Sequence, residues 1–356
     1  MISAPEQLQA LMKKGTDLLG SRYAILGGAM TWVSERNLVS SISNAGGFGV
    51  LACGAMTPDL LKAEIEGTQA LTQKPFGVNL ITLHPELKSL IQVCIDTGVT
   101  HVVLAGGIPS QDSIEMLKSS GVKVLCFTPA LALAKRLIRQ GADGLIIEGH
   151  EAGGHIGPVS TSVLAQEILP YISGVPVFVA GGIGRGEVML SYLEMGAAGC
   201  QLGTRFVCAS ESKAHPNFKK MFIRASSRDA VASSQIDVRF PVIPVRALAN
   251  EGTKNFLELQ RKLIDLVDKG EIELKDAQMQ IEHYWAGALR RAVIEGDVDH
   301  GSLMAGQSVG LVSAEEPTEK IIKDLVEQAI NQIDKKQARY ETTSSISGGQ
   351  RSIPTS

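Results

Sequence analysis

The chain has 356 residues, a formal net charge of −3, 44% hydrophobic and 20% charged residues, a size that allows one large or two ordinary domains. So small a net charge gives no general attraction to nucleic acid or to an acidic membrane surface, and no apolar run reaches the ~18 residues of a membrane span. The five cysteines are odd in number and form no C-x-x-C pair, which argues against a disulfide framework or a metal site; with no signal-peptide pattern at the N-terminus, the expectation is a cytoplasmic protein.

From residue 23 onward, short apolar runs alternate with helical spacing. The runs at 23–26, 50–51, 76–80, 101–104, 122–127, 145–147, 175–180 and 199–202 predict eight strands. Helices are predicted between them at 38–45, 58–71, 85–97, 110–119, 129–140, 162–171 and 187–195. Continuous rather than alternating apolarity means that both strand faces are buried, as in a parallel sheet. Eight such units predict an α/β fold, a TIM (βα)8 barrel with its active site at the C-terminal strand ends. After residue 206 the rhythm breaks. Helices are predicted at 215–224, 256–269 and 274–292, a long functional loop at 229–250, and a closing barrel helix at 317–333. The domain reading is a barrel over 1–206 and 311–334, an α-rich insert over 207–310 covering the barrel mouth, and a disordered polar tail over 335–356.

The strand ends carry the chemistry. The sixth strand runs into Glu148-Gly-His-Glu-Ala-Gly-Gly-His-Ile-Gly157, where glycines permit close approach of backbone to a ligand and His155 has almost nothing bulky beside it. Gly181-Gly182 follows the seventh strand and Gln201-Leu202-Gly203-Thr204 ends the eighth. Loops in those two places form the common phosphate site of such barrels, to which Thr204 adds a hydroxyl and Arg205 a charge; tight turns without a ligand are the plain alternative. Gly28-Ala29-Met30 at the first strand could lie along a flat ring. Asn79 offers a donor and an acceptor to a heterocycle edge, and Glu148 an acceptor for a hydroxyl or a ring N–H. One phosphate and a ring suit a flavin mononucleotide, although a sugar-phosphate enzyme would use the same barrel logic. His150 reads as structural or exposed, and Arg246 as an ion pair or an anion grip.

Taken together, several segments resemble the nitronate monooxygenase family and its sister group, the flavin-dependent type II enoyl-acyl carrier protein reductases. They are Gly27–Met30 with Trp32, Asn44–Gly49, Lys74–Asn79, Glu151–His155, Ala180–Ile183, Gln201–Phe206, Gly296–Asp299 and Ser302–Gln307. The resemblance implies one non-covalent FMN held by Gly28, Ala29, Met30, Asn79, Glu148, Gly153, Gly154, Gly181, Gly182 and Gln201 through Thr204, with His155 as catalytic acid or base and no metal. Many of the monooxygenases have Gln where this chain has Glu148, while the reductases often have Glu. The leading reading is oxidation of an alkyl nitronate with O2 through the flavin. The second is reduction of an enoyl thioester with NAD(P)H as donor, and a non-redox barrel binding a phosphorylated metabolite is the reading from another class. The partners implied are a small-molecule substrate and O2, with a homodimer left open.

Overall fold

The structure is a computed structural model that describes residues 2–239 and 243–348. Twelve strands are assigned within them: β1 (Ile25–Gly27), β2 (Val50–Ala52), β3 (Gly77–Ile81), β4 (His101–Ala105), β5 (Lys123–Phe127), β6 (Gly144–Glu148), β7 (Gly154–His155), β8 (Val177–Ala180), β9 (Gly199–Leu202), β10 (Ala230–Ala232), β11 (Val245–Leu248) and β12 (Leu303–Met304). Eight of them form one parallel sheet in the order β1-β9-β8-β6-β5-β4-β3-β2. A parallel bridge between Leu26 and Phe48 joins its two edges. There the Gly27 N–H donates to Phe48 O at 2.9 Å and the Phe48 N–H to Ile25 O at 2.9 Å. The result is the TIM barrel the sequence predicts, and the apolar runs bury both faces because their side chains alternate between the barrel interior and the helices around it.

The helix Ala4–Leu19 precedes the first strand and was not among the predicted elements. It starts at a capping box, in which the Glu6 N–H donates to Ser3 Oγ and the Ser3 N–H to Glu6 Oε2, with Pro5 in its first turn. Its C-terminal carbonyl at Leu18 accepts from Lys123 Nζ and from His101 Nε2, each at 2.8 Å. These are strand-start residues, so the helix closes the barrel floor, away from the functional strand ends.

The C-terminal helix Thr318–Gly348 packs between Ala4–Leu19, Arg36–Asn44 and Gly186–Glu194, closing the barrel as predicted. It does not stop at residue 334. Residues 335–348, expected to be disordered, continue the helix; the rest of the expected tail, 349–356, lies outside the described residues. Its start is pinned by Glu211, whose carboxylate accepts from the Thr318 N–H at 3.0 Å and hydroxyl at 2.9 Å.

The segment expected to be an insert divides by packing. Phe218, Phe222, Ala292, Val293 and Val309 join the main core. A second core gathers Val245 of β11 with Phe256, Leu263, Ala277, Ile281 and Trp285 of the helices Glu251–Asp268 and Leu274–Arg290. The long loop expected at 229–250 instead contains β10 and β11, which with β12 and β7 make a small sheet around β11. Its residues 240–242 lie outside the described residues.

Gly186 begins the helix after β8. A Cβ there would press far inside contact with Leu325 O, and its N–H already donates to Gln328 Oε1 at 2.8 Å. Gly186→Ala is expected to push the C-terminal helix off the barrel. A loss of at least about 2 kcal/mol, typical of overpacking without room to relax, should appear in denaturant unfolding.

Candidate active site

Glu148, Ala180 and Gln201 occupy one register row across β6, β8 and β9. In adjacent parallel strands such a row points the same way, which puts the carboxyl and the amide about 10 Å apart with only a methyl between them. Gln201 is buried, Glu148 partly so, and neither side chain has a hydrogen-bond partner among the described residues. Asn79, on β3, is buried and donates from Nδ2 to Val103 O at 3.1 Å, which leaves its amide oxygen as an acceptor. Three polar heads with unused bonding capacity thus stand at the strand ends. The protein around Glu148 is dense enough that burial alone pushes its carboxyl up to about 8.

Beside this row the chain lies backbone on backbone. The Gly28 N–H donates to Leu202 O at 2.8 Å. A Cβ on Gly28 would lie 3.5 Å from Gly203 Cα and 3.6 Å from Gln201 Cγ. Ala29 and Met30 follow, half-buried, and Met30 Sδ lies 3.4 Å from the Cβ position of Gly203. After β8, Gly181 (φ 92°) and Gly182 (φ 74°) are both left-handed, which only glycine adopts cheaply.

The β6–β7 loop is held against these turns by residues whose roles the sequence did not reveal. A Cβ on Gly182 would sit 3.1 Å from Glu151 Cβ. The Glu151 carboxylate accepts from the Thr161 N–H at 2.8 Å and hydroxyl at 2.9 Å, and its carbonyl from the Gln307 N–H at 2.9 Å. A Cβ on Gly153 would lie 2.5 Å from Gly306 N, and that N–H donates to Thr204 Oγ1 at 2.9 Å. One chain of contacts therefore links the loop to the turns after β8 and β9. Gly154 and His155 continue it as β7, paired with Arg246 and Val245 of β11. His155 is exposed, carried on the small sheet beside the mouth.

Three expectations are refined. Arg205 gives no charge to the phosphate loop, because it ion-pairs with Glu316 at 2.8 Å under the C-terminal helix. Arg246 makes no ion pair among the described residues; buried, it donates from Nε to His150 O at 3.1 Å and from Nη1 to Ala230 O at 2.6 Å. His150 is tied down through Nδ1 to Gly157 O at 2.9 Å. The helix after β8 directs no free first N–H at a phosphate, since that of Gly186 is taken by Gln328. All five cysteines are buried. No described helix is long and apolar enough to cross a membrane, and no group of three metal-ligating side chains occurs among the described residues.

Comparison with known proteins places this geometry. The family model described as nitronate monooxygenase matches residues 13–91 and 86–328. A (3aS,4S,5R,7aS)-5-hydroxy-7a-methyl-1-oxo-octahydro-1H-indene-4-carboxyl-CoA dehydrogenase from Mycobacterium tuberculosis is 30% identical over 92% of this chain and 98% of its own. A probable nitronate monooxygenase from Staphylococcus saprophyticus is 28% identical over 85% and 93%. The solved structure of FabK from Thermotoga maritima superposes with a TM-score of 0.80 at 37% identity, covering 91% of this chain and 98% of that one.

The raised carboxyl of Glu148 has a consequence for stability. Folded protein keeps this proton up to about pH 8, whereas the unfolded chain releases it near pH 4.5, so stability falls as pH rises between those values and levels above them. Glu148→Gln carries no such charge. The variant without cofactor should be more stable than the unaltered protein by an amount that grows from about pH 5 to 8, reaching a few kcal/mol. Melting curves across that range check the sign.

Proposed function

The chain belongs to the nitronate monooxygenase family, and from that premise we propose that it is an FMN-dependent oxidoreductase whose substrate is an acyl thioester of the enoyl type. The cofactor reading rests on fit. The backbone at Gly28, Gly181, Gly182 and Gly203 carries no side chain, so a flat ring and its phosphate can approach it closely. Glu148 and Gln201 supply hydrogen-bonding heads, and Asn79 an amide oxygen beside its bonded Nδ2, that find no partner among the described residues. Gly181-Gly182 and Gly203-Thr204 would take the phosphate, and Gly153 and Gly154 would border the ring. FMN supplies the electron-transfer chemistry when bound.

The residues of the chain do the rest. Protonated at neutral pH, Glu148 can donate as well as accept, which a carboxylate cannot. Gly153 and Gly154 let the loop fold back so that His155 stands at the mouth, where an imidazole can give or take a proton at a substrate carbon. The observation that carries the thioester reading is an apolar lip: Leu83 after β3 is 77% exposed and Ile108 after β4 is 58% exposed. Leu83 Cγ lies 3.4 Å from the Cβ position of Gly107, so the two loops touch. An acyl chain would cover them. The carboxyl-CoA dehydrogenase relative supports the same class. Nitronate oxidation, ranked first by the sequence, becomes the second reading and is favoured by the family model and the S. saprophyticus relative.

Purified protein is expected to be yellow and to release FMN on heating; a colourless protein that takes up no FMN sinks the cofactor reading. With crotonyl-CoA, NADH or NADPH should be consumed only when the thioester is present. Oxygen uptake with propionate 3-nitronate and no NAD(P)H would move the assignment to the second reading. NADH loss that needs a quinone instead would defeat both. His155→Ala should keep FMN and lose turnover by about 100-fold or more; full activity would remove His155 from the chemistry.

A further inference from the structure

Trp32 combines three features found together nowhere else among the described residues. It is the one non-glycine residue there with a left-handed backbone (φ 68°), a conformation disfavoured for a bulky side chain. Its indole Nε1 is fully shielded yet has no hydrogen-bond partner, although a buried donor normally finds one. Its ring, half-buried, lies beneath the Arg290 guanidinium at 5.8 Å from the centroid. Trp285 also has an unpartnered indole N–H, but it packs on Phe256 at 4.3 Å in the second core with ordinary backbone angles.

The position of Trp32 gives these features a purpose. Its loop leaves β1 at Gly28, against Gln201 and Gly203. The loop is folded back on that end, with Ser34 Oγ donating to Gly28 O at 2.9 Å and accepting from the Met30 N–H at 3.0 Å. Arg290 belongs to the helix Leu274–Arg290 of the second core. The ring therefore lies at the seam between the barrel mouth and the structure beside it. Strain of this kind persists where the surroundings impose it, and it is commonest at sites that bind ligands. A pure packing role would require neither the backbone angle nor an N–H withheld from every protein acceptor.

We propose that Trp32 contacts substrate: binding shifts its strained loop and uncovers the indole N–H, which is shielded in the ligand-free protein, so that it donates to an acceptor oxygen of the bound molecule, the thioester carbonyl in the reading given above, on which this inference rests. Arg290 holds the ring from one face and is itself paired with Glu295. No covalent step involves the indole.

The test uses FMN-loaded enzyme with crotonyl-CoA, and separately with propionate 3-nitronate, whose oxygens are also acceptors. Trp32→Phe keeps the ring and removes the N–H. For whichever probe is turned over, its KM should rise about five- to tenfold, the effect of one lost hydrogen bond. The kcat should stay within about twofold, as for an interaction equally strong in the ground and transition states. FMN content should not change. Arg290→Gln should leave KM within about twofold. An unchanged KM in Trp32→Phe overturns the inference; so does an equal rise in Arg290→Gln, which would make the ring a latch, or loss of FMN from Trp32→Phe, which would make the N–H a cofactor contact. The chain has two tryptophans, so Trp285→Phe leaves Trp32 as sole reporter, and the turned-over probe should shift its emission even if Trp32→Phe fails to fold. No shift overturns the inference. If the unaltered enzyme turns over neither probe, the proposed function fails and this inference falls with it; an active enzyme with unchanged KM in Trp32→Phe removes this inference alone.

Discussion

The site depends on backbone lying against backbone where side chains would normally intervene. Gly28 and Gly203 lie backbone to backbone at ordinary contact distance, while Gly153 against Gly306 allows the β6–β7 loop and the 303–307 segment to approach closer than a Cβ permits. Protein interiors are packed densely enough that a single added methyl at such a contact must displace a neighbour. The loop bearing His155 therefore has little freedom in where it stands. Its path is fixed at the Gly182 turn through Glu151, at Thr204 through Gly306, and at β11 through ladder pairing. These anchors come from parts of the chain far apart in sequence, so the geometry of the mouth is a property of the whole fold.

Electrostatics at the mouth follow from that closeness. Among the described residues no cation answers Glu148, and burial raises the affinity of its carboxyl for the proton. Arg246 keeps its charge under burial by giving its donors to two backbone carbonyls, with Glu151 as the nearest negative influence. Burial still weighs against that charge, which is why its affinity for the proton is lowered. The two carbonyls it binds belong to His150 and Ala230, so the guanidinium also joins the β6–β7 loop to β10. A residue read from sequence as an ion pair or an anion grip thus acts as a brace for the loop that carries His155.

Much of the barrel was legible because its signal is local. Eight continuously apolar runs separated by helical spacing need no knowledge of distant contacts. The glycine turns after β8 and β9 were legible for the same reason. What failed to show was what depends on partners. The helix Ala4–Leu19 carried a readable mark in Ser3-Pro5-Glu6 that the alternation starting at residue 23 overshadowed. β10 and β11 are too short to have a period of their own; β11 exists because β7, β10 and β12 supply its ladders, and β10 because β11 supplies its one ladder. Residues 335–348 look polar and loose, yet they extend a helix whose earlier turns are fixed on the barrel, and propagation from a formed helix costs far less than nucleation. Arg205 illustrates the limit for single residues: its place beside a phosphate loop was visible, but Glu316, 111 positions away, takes its charge.

The division of the chain into two cores bears on how one scaffold could serve more than one substrate. The polar row, the glycine turns and the fold of the β6–β7 loop all belong to the barrel, and they would hold the same cofactor and histidine whatever was oxidised or reduced. The residues that could tell one substrate from another lie elsewhere: on the loops after β1, β3 and β4, and on the helices of the second core. Those helices pack mainly on each other, through Phe256, Tyr284 and Trp285, so their outer positions can change without disturbing the barrel core. Family membership therefore constrains the reaction centre more tightly than it constrains the substrate. Choice of substrate should accordingly follow the loop at Trp32 and the lip at Leu83 and Ile108, rather than the row from Glu148 to Gln201.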